Sequence, residues 1–157
     1  MVKASSVGGG RHKARLVAIQ ELYRREVGGD KSGIDIDLPD DIADSSLRRN
    51  ADQPFVQDLV QGVSNAGGAL DELIGQASEN YPVARMTVMD RLILRLATYE
   101  LQQHRQVSRR IIINEALELA RSFADESSVR FINGVLDRLA RTIRGDHDTD
   151  AQEDGPA

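Results

Sequence analysis

Residues 86–104 of this chain read MTVMDRLILRLATYELQQH, and this stretch decides the fold. Apolar side chains recur in it at the i, i+3 and i+4 spacing of one helix face. More apolar side chains lie off that face, which is typical of a helix inside a bundle. We therefore predict a central helix here. Its face comprises Met89, Leu92, Ile93, Leu96 and Ala97, and Val88, Leu94 and Leu101 lie off it.

Other helices are expected before and after the central one. Apolar periodicity begins near Arg11, Pro54, Ser108 and Ser127. The pair Gly67-Gly68 interrupts the second of these segments, which indicates either a kinked helix or two helices with a tight corner. A short helix is expected near residues 41–49 of an otherwise acidic loop. No segment alternates apolar and polar residues as a strand does, so the predicted fold class is all-α.

Capping residues predict where several helices begin. Thr87 and Asp90 have the spacing of a capping box at the central helix. Ser108 is a plausible N-cap for the next helix, and Ser127 or Ser128 for the last.

Two expectations concern the core. Arg95 lies among apolar residues, so it should be partly buried and need a carboxylate partner, for which Glu100 and Glu115 are candidates. The helix after Ser108 should bury one apolar face. That face comprises Ile113, Ala116, Leu117 and Ala120, with Phe123 near its end.

Composition excludes several classes of protein. The chain has 157 residues and no cysteine, which rules out disulfides and cysteine nucleophiles. Its three histidines share no ligand spacing, so no metal site is predicted. No Gly-rich phosphate loop or hydrolase motif is present, so we predict no enzyme, no catalytic residue and no cofactor. Without a membrane-length apolar run or a secretory signal, we expect a cytoplasmic protein.

Charge is segregated along the chain although the net charge is only −5. Residues 1–25 carry six cations and one acid, whereas residues 26–58 carry nine acids and three cations. Residues 85–144 carry eleven arginines, no lysine and seven acids. This asymmetry indicates a basic face for nucleic acid, although solvated faces would give the same pattern. We read residues 1–10 as a flexible leader and residues 146–157 as a disordered acidic tail.

Cations recur at the predicted helix starts, where the macrodipole is positive and each costs about 0.3–1 kcal/mol. A bound phosphate backbone would turn that cost into affinity. Without such a ligand, exposed arginines would simply be solvated. Phe131 beside Arg130 could stack an unpaired base, with packing at a bundle edge as the structural alternative. The cations are Arg11, Lys13 and Arg15 in the first helix, Arg109 and Arg110, and Arg130.

Four segments together make the chain resemble the NusB family of bacterial transcription antitermination factors. They are RHKAR with AIQELY in residues 11–23, DRLILRLATYEL in residues 90–101, INEALELARSF in residues 113–123 and FINGVLD in residues 131–137. The resemblance implies two small helical sub-bundles, residues 11–82 and 83–145. It also implies a non-enzymatic protein that binds single-stranded boxA RNA together with NusE, a ribosomal protein that doubles as an elongation factor. The complex would act on elongating RNA polymerase with other Nus factors during ribosomal RNA transcription.

The resemblance also assigns residues. The family's arginine-rich first helix matches Arg11, His12, Lys13 and Arg15, with His12 in place of a usual arginine. Its basic-Phe pair at the start of the last helix matches Arg130 and Phe131. Asp90 and Ser127 match positions near the NusE-facing surface, although some relatives have Asp where this chain has Ser127.

Other functions remain open from the sequence. The chain could be a pure protein-interaction adaptor whose partner reads the RNA. Family members occur as monomers and as homodimers, and a homodimer could bury the NusE surface. A domain fused to an RNA cytosine methyltransferase is disfavoured, because no methyl-donor domain follows residue 145. A DNA-binding helix-turn-helix is disfavoured too, because no recognition-helix pair joined by a short turn stands out.

Overall fold

The computed structural model describes residues 9–28, 45–79 and 81–145. The expected leader up to residue 8, most of the acidic loop and the acidic tail lie outside these residues. Within them the chain forms six α-helices and no strand, which confirms the all-α prediction. The helices are α1 (Arg11–Tyr23), α2 (Ser45–Asn50), α3 (Gln53–Ser78), α4 (Val88–Gln103), α5 (Arg109–Phe123) and α6 (Glu126–Arg144). A π-helical turn, Arg24–Gly28, follows α1, and a 3-10 turn, Val83–Arg85, precedes α4.

The chain divides into two compact units, Met1–Asn65 and Ala66–Ala157. The division falls inside α3, so each unit contains one half of that helix. The sub-bundle boundary expected near residue 83 stays a prediction. No helix among the described residues is long and apolar enough to cross a membrane.

In the first unit, α1 buries nearly its whole middle turn. The first half of α3 contributes a second apolar stripe at helical spacing. Its N-terminus is capped by Asp52, whose Oδ1 accepts a hydrogen bond of 3.1 Å from the Phe55 amide. Pro54 lies in the first turn of α3, where a missing amide hydrogen costs little. The buried residues are Ala14, Leu16, Val17, Ala18, Ile19 and Leu22 in α1, and Phe55, Val56, Leu59, Val60 and Val63 in α3.

In the second unit, α4 is the central helix, as its sequence predicts. It contacts both α5 and α6, which also contact each other. Each fully buried Leu or Ile contributes about 1.5–3 kcal/mol relative to an exposed one, so α4 supplies much of this core. Thr87 caps α4 as predicted, since its Oγ1 accepts from the Asp90 amide at 3.1 Å. The buried apolar residues of α4 are Leu92, Ile93, Leu94, Leu96, Ala97 and Leu101.

α6 is tied to α4 at both ends. Near the start, Ser128 Oγ donates to Asp90 Oδ2 at 3.1 Å. Near the end, the buried Arg144 guanidinium donates to three backbone carbonyls. These are the carbonyls of Leu101 and His104 at 3.0 Å and of Val107 at 2.6 Å. Because start meets start and end meets end, α4 and α6 run in the same direction.

Arg95 is half-buried, as expected. Its guanidinium donates hydrogen bonds to both carboxylate oxygens of Asp71 in α3. The Nε–Oδ1 and Nη2–Oδ2 distances are both 2.7 Å. Asp71 was not among the expected partners, Glu100 and Glu115, because no sequence pattern relates this position of α3 to Arg95 of α4. A bidentate charge-assisted pair of this kind fixes geometry as well as adding energy.

The α5 prediction is right about the cap and partly wrong about the face. Ser108 Oγ accepts from the amides of Arg110 at 3.0 Å and Ile111 at 3.4 Å. Ala116 and Ala120 are buried as expected, but Ile113 and Leu117 are only half-buried. Ile112 and Leu119 take the core positions instead. Three consecutive isoleucines, Ile111 to Ile113, are all suited to the core. The sequence alone therefore does not determine which of them α5 turns inward.

α3 runs unbroken through Gly67-Gly68, so the alternative of two helices with a tight corner is wrong. We therefore expect Gly68→Ala to raise the free energy of unfolding by about 0.5–1 kcal/mol, because Ala loses less backbone entropy in a helix. Gly68 is exposed, and an added Cβ would meet no atom within 4 Å. Urea denaturation followed by far-UV circular dichroism measures the change.

Gly145→Ala is the matched control, because Gly145 has φ +80°, where a side chain is strained. That variant should lose stability. A loss of stability in Gly68→Ala would contradict the unbroken helix.

Candidate functional site

The start of α1 carries a basic cluster, Arg11, His12, Lys13 and Arg15, which we call the α1 basic cluster. The first turn of α1 contains no acid, and Gly10 at the N-cap provides no side-chain hydrogen bond. The Gly10 carbonyl accepts from the Asp52 amide at 3.0 Å, which holds this helix start against the start of α3. Cations and the positive end of the helix thus point to one preferred ligand, an anion.

One aromatic ring organises the α1 basic cluster. The guanidinium carbon of Arg11 lies 4.4 Å from the centroid of the Phe55 ring, and that of Arg15 lies 5.2 Å away. A cation over an aromatic face contributes about 0.5–1 kcal/mol when exposed and up to about 2 kcal/mol when desolvated. Phe55 therefore stabilises two like charges close together. No local sequence pattern indicates this role of Phe55.

Exposure separates the members of the α1 basic cluster. Arg15 is only 4% exposed, whereas Arg11, His12 and Lys13 are half-buried. At the far end of α1, Arg24 and Arg25 are exposed and both pair with Glu21. Glu21 offsets part of the positive charge at that end, whereas the first turn of α1 contains no acid.

The start of α6 carries the second predicted pair. Arg130 is exposed and Phe131 is half-buried. The Phe131 ring packs against the ring of Tyr81. The two centroids are 5.3 Å apart and the ring planes are tilted by 54°. Tyr81 is 47% exposed. Tyr81 was not among the residues predicted from the sequence, although an aromatic residue before Pro82 in a short connection was a usable signal.

Asp90 is buried at the start of α4. It is 7% exposed, and among the described residues no donor reaches its Oδ1 atom. Burial raises the pKa of Asp90 above its ordinary value of 3.8, while hydrogen bonds with Ser128 and Thr87 oppose that rise. The nearby Asp125 carboxylate raises it further. Asp90 is thus both a member of a helix cap and a linker between two helix starts.

The cap of α6 differs from the prediction. Neither Ser127 nor Ser128 is the N-cap; that residue is Asp125, whose Oδ1 accepts from the Ser128 amide at 2.9 Å. Ser127 is exposed, and its Oγ donates to the same oxygen at 2.8 Å. Asp and Ser are almost equally favoured N-caps, so the choice between these neighbours was not decided by residue type. The hydrogen bonds from Ser128 and Ser127 hold the pKa of Asp125 below its ordinary value.

The predicted site residues fall into two groups. The α1 basic cluster lies in the first unit. Asp90, Ser127, Arg130 and Phe131 all lie in the second unit, where the Asp90–Ser128 hydrogen bond joins the helix starts that carry them. Among the described residues, no group of three or more His, Asp or Glu side chains stands where it could hold a metal ion.

Arg109 and Arg110 have separate roles at the start of α5. Arg109 Nη1 donates to the Gly145 carbonyl at 3.0 Å, so it caps the end of α6. Arg110 is exposed and borders a groove of about 270 Å³ between α5 and α6, where Asn114 and Arg141 also lie. Arg141 pairs with Asp137 at 3.1 Å.

The sequence model of the NusB family matches residues 12–141 of this chain. Proteins named transcription antitermination protein NusB are similar over most of their length. That of Myxococcus xanthus is 36% identical over 133 residues, 84% of this chain and 95% of the relative. That of Desulforapulum autotrophicum is 38% identical over 137 residues, 83% of this chain and 91% of the relative.

Solved structures show the same fold. A structure of T. maritima NusB aligns with a TM-score of 0.63 and 30% identity, covering 83% of this chain and 90% of that one. A structure described as antitermination factors NusB and NusE in complex with dsRNA aligns with a TM-score of 0.66 and 21% identity, covering 83% and 96%. At this low identity the second likeness supports the fold alone.

The buried Asp90 carboxyl should make stability depend on pH. Because its folded pKa lies above the unfolded one, the folded chain binds more protons between the two values, and stability falls as pH rises through that window. The Asp90→Asn variant has no carboxyl group at this position, so it cannot bind that proton. We expect the variant to gain stability relative to the unmodified chain as pH rises from the unfolded pKa through the folded pKa of Asp90. Thermal melts across this range measure the difference.

Asp125→Asn is the control of opposite sign. Hydrogen bonds lower the folded pKa of Asp125, so its contribution is present above the unfolded pKa and is lost as pH falls through the folded one. This variant should therefore be less stable at neutral pH and approach the unmodified chain in acid. The same pH trend in both variants would show that Asp90 is not destabilised by burial.

Proposed function

Because this chain belongs to the NusB family, we propose that it is a transcription antitermination factor that binds boxA RNA together with NusE. It acts on elongating RNA polymerase, with other Nus factors, during ribosomal RNA transcription. The observation that carries this proposal is the family match over residues 12–141. The relatives named transcription antitermination protein NusB, which align over most of their length, support it.

The α1 basic cluster contacts the RNA backbone in this proposal. Arg11 and Lys13 approach phosphates at the positive end of α1, where RNA neutralises charges that otherwise oppose the macrodipole. His12 adds a ring that carries a full charge only when protonated. Arg15 is buried, so it acts by holding Phe55 and thereby the position of Arg11.

Arg130 and Phe131 form the second RNA contact. The exposed guanidinium of Arg130 binds phosphate, and Phe131 takes part in stacking an unpaired base. Backbone contacts of this kind give affinity and strong salt dependence, but they carry little sequence information. Recognition of boxA therefore requires base contacts as well, and these are shared with NusE.

The NusE surface lies at the joined starts of α4 and α6. Ser127 is exposed there and contacts the partner directly. Asp90 is buried and acts through Ser128, because its carboxylate fixes where α6 begins. A homodimer that covers this surface would compete with NusE.

We further propose that the protein works without catalysis and in the cytoplasm. The relatives that it matches are named transcription antitermination proteins, and the chain has no motif of a nucleotide-binding or hydrolytic enzyme. Nascent RNA and elongating polymerase are cytoplasmic in bacteria, which places the activity there.

Arg11→Ala combined with Lys13→Ala should weaken binding of boxA RNA by roughly tenfold or more at moderate salt, because two phosphate contacts are lost. The slope of log K against log salt should flatten by about 1.4, since each contact to single-stranded nucleic acid contributes about 0.7. Fluorescence anisotropy of a labelled RNA at several salt concentrations, with and without NusE, measures both quantities.

Arg24→Ala with Arg25→Ala is the matched control, because it removes two cations from the other end of the first helical segment. These cations pair with Glu21, so RNA affinity should change little. Unchanged affinity and slope in the Arg11/Lys13 variant would favour the adaptor function, in which NusE alone reads the RNA.

Ser127→Arg should lower NusE affinity at least tenfold, because a long cation then occupies the centre of the proposed partner surface. The melting temperature should fall only slightly: Ser127 is exposed and Asp125, not Ser127, caps α6, and a cation in the first turn costs about 0.3–1 kcal/mol. Isothermal titration calorimetry with purified NusE measures the effect. Full affinity in Ser127→Arg would place the partner surface elsewhere.

A further inference from the structure

Tyr81 is an exposed aromatic residue that the family assignment leaves without a role. Among the described residues, the large apolar side chains that are exposed are Val27, Tyr81 and Ile111, and Tyr81 is the one aromatic member. An exposed ring that is also held in place differs from an ordinary surface residue.

The backbone around Tyr81 is fixed by its neighbours. Glu79 has φ +56°, a left-handed conformation that turns the chain at the end of α3. Ser78 Oγ then donates to the Tyr81 carbonyl at 2.7 Å, and the Tyr81 amide donates to the Ser78 carbonyl at 3.1 Å. Pro82 follows with φ −64°, which restricts the chain on the other side.

The Tyr81 ring is held by two contacts, one at its hydroxyl and one on its side. Its hydroxyl donates to the Arg85 carbonyl at 3.3 Å. One side of the ring lies against Phe131 at 5.3 Å between centroids, with the planes tilted by 54°. Since Tyr81 is 47% exposed, much of its surface still faces solvent. A ring positioned in advance loses little conformational entropy when a planar ligand stacks on it.

We propose that Tyr81 and Phe131 together form a site for one unpaired nucleobase of the bound RNA, with Tyr81 as the exposed stacking face. Phe131 packs against the Tyr81 ring and holds it in position. Arg130, exposed and next to Phe131, binds the phosphate beside the stacked base. This inference rests on the proposed function, because it assumes that single-stranded RNA reaches the start of α6.

An RNA base fits this site better than a protein side chain does. Every base has a π face, so stacking does not require matched hydrogen bonds. The neighbouring cation suits a phosphate that accompanies each base along the strand. The two rings are also close enough together to act on the same nucleotide.

Tyr81→Leu should weaken binding of boxA RNA to the complex with NusE by roughly tenfold, the loss typical of a removed stacking ring. Tyr81→Phe keeps the ring and should regain most of the affinity. Ile111→Ala removes an exposed apolar side chain from α5 and should leave affinity unchanged. Melting curves confirm that each variant is folded at the assay temperature.

Abasic substitution along the RNA locates the stacked base. At one position, removing the base should weaken binding to the unmodified chain but not to Tyr81→Leu. The chain has no tryptophan, so Tyr81→Trp also introduces a unique fluorophore. Its emission should be quenched when intact RNA binds and less quenched by the RNA that lacks that base.

The outcomes separate this inference from the proposed function. If the unmodified chain with NusE does not bind boxA RNA, both are overturned. If it binds but Tyr81→Leu binds equally well, the stacking site alone is overturned. The same holds if Tyr81→Leu lowers NusE affinity while no abasic position is sensitive, because Tyr81 then contacts the partner protein.

Discussion

The hydrogen bond from Ser128 to the buried Asp90 carboxylate fixes the start of α6 against the start of α4. Arg144 fixes the other end through carbonyls at the end of α4. Since α4 is the most buried helix of its unit, whatever projects from α6 is positioned by the core. Arg130 and Phe131 follow the fixed point within one turn. The geometry of the second contact surface therefore depends on one acidic side chain that is itself costly to bury.

Both proposed contact surfaces contain groups that lower the stability of the folded chain when no ligand is bound. Asp90 is buried with a raised pKa. Arg11 and Lys13 stand at the positive end of α1, and the Phe55 ring offsets part of the repulsion by accepting Arg11 and Arg15 over its face. Local costs of this kind are expected where a surface is built for a ligand and not for stability. RNA bound at the start of α1 would relieve the second of these costs.

The sequence predicted what local patterns control. The all-α class, the central helix and the caps at Thr87 and Ser108 follow from periodicity and short-range hydrogen bonding, and the structure confirms them. Contacts between distant segments were not predictable: Asp71 grips Arg95 from another helix, and Phe55 lies beneath cations of α1. The Asp125 cap was missed because Asp125, Ser127 and Ser128 lie within four positions and are all good N-caps. For the candidate site, cations at helix starts selected the basic residues and Phe131, and the family resemblance added His12 and the partner roles of Asp90 and Ser127. Burial of Arg15 and support of Phe131 by Tyr81 required the fold.

Read-through in a purified transcription reaction tests the antitermination function most directly. The template carries boxA upstream of a terminator, and the reaction contains RNA polymerase, NusE and the other Nus factors. Adding this chain should raise the fraction of transcripts that pass the terminator, and the increase should disappear when boxA is scrambled or NusE is omitted. Equal read-through with and without the chain, on a template where an established NusB protein is active, would contradict the proposed function.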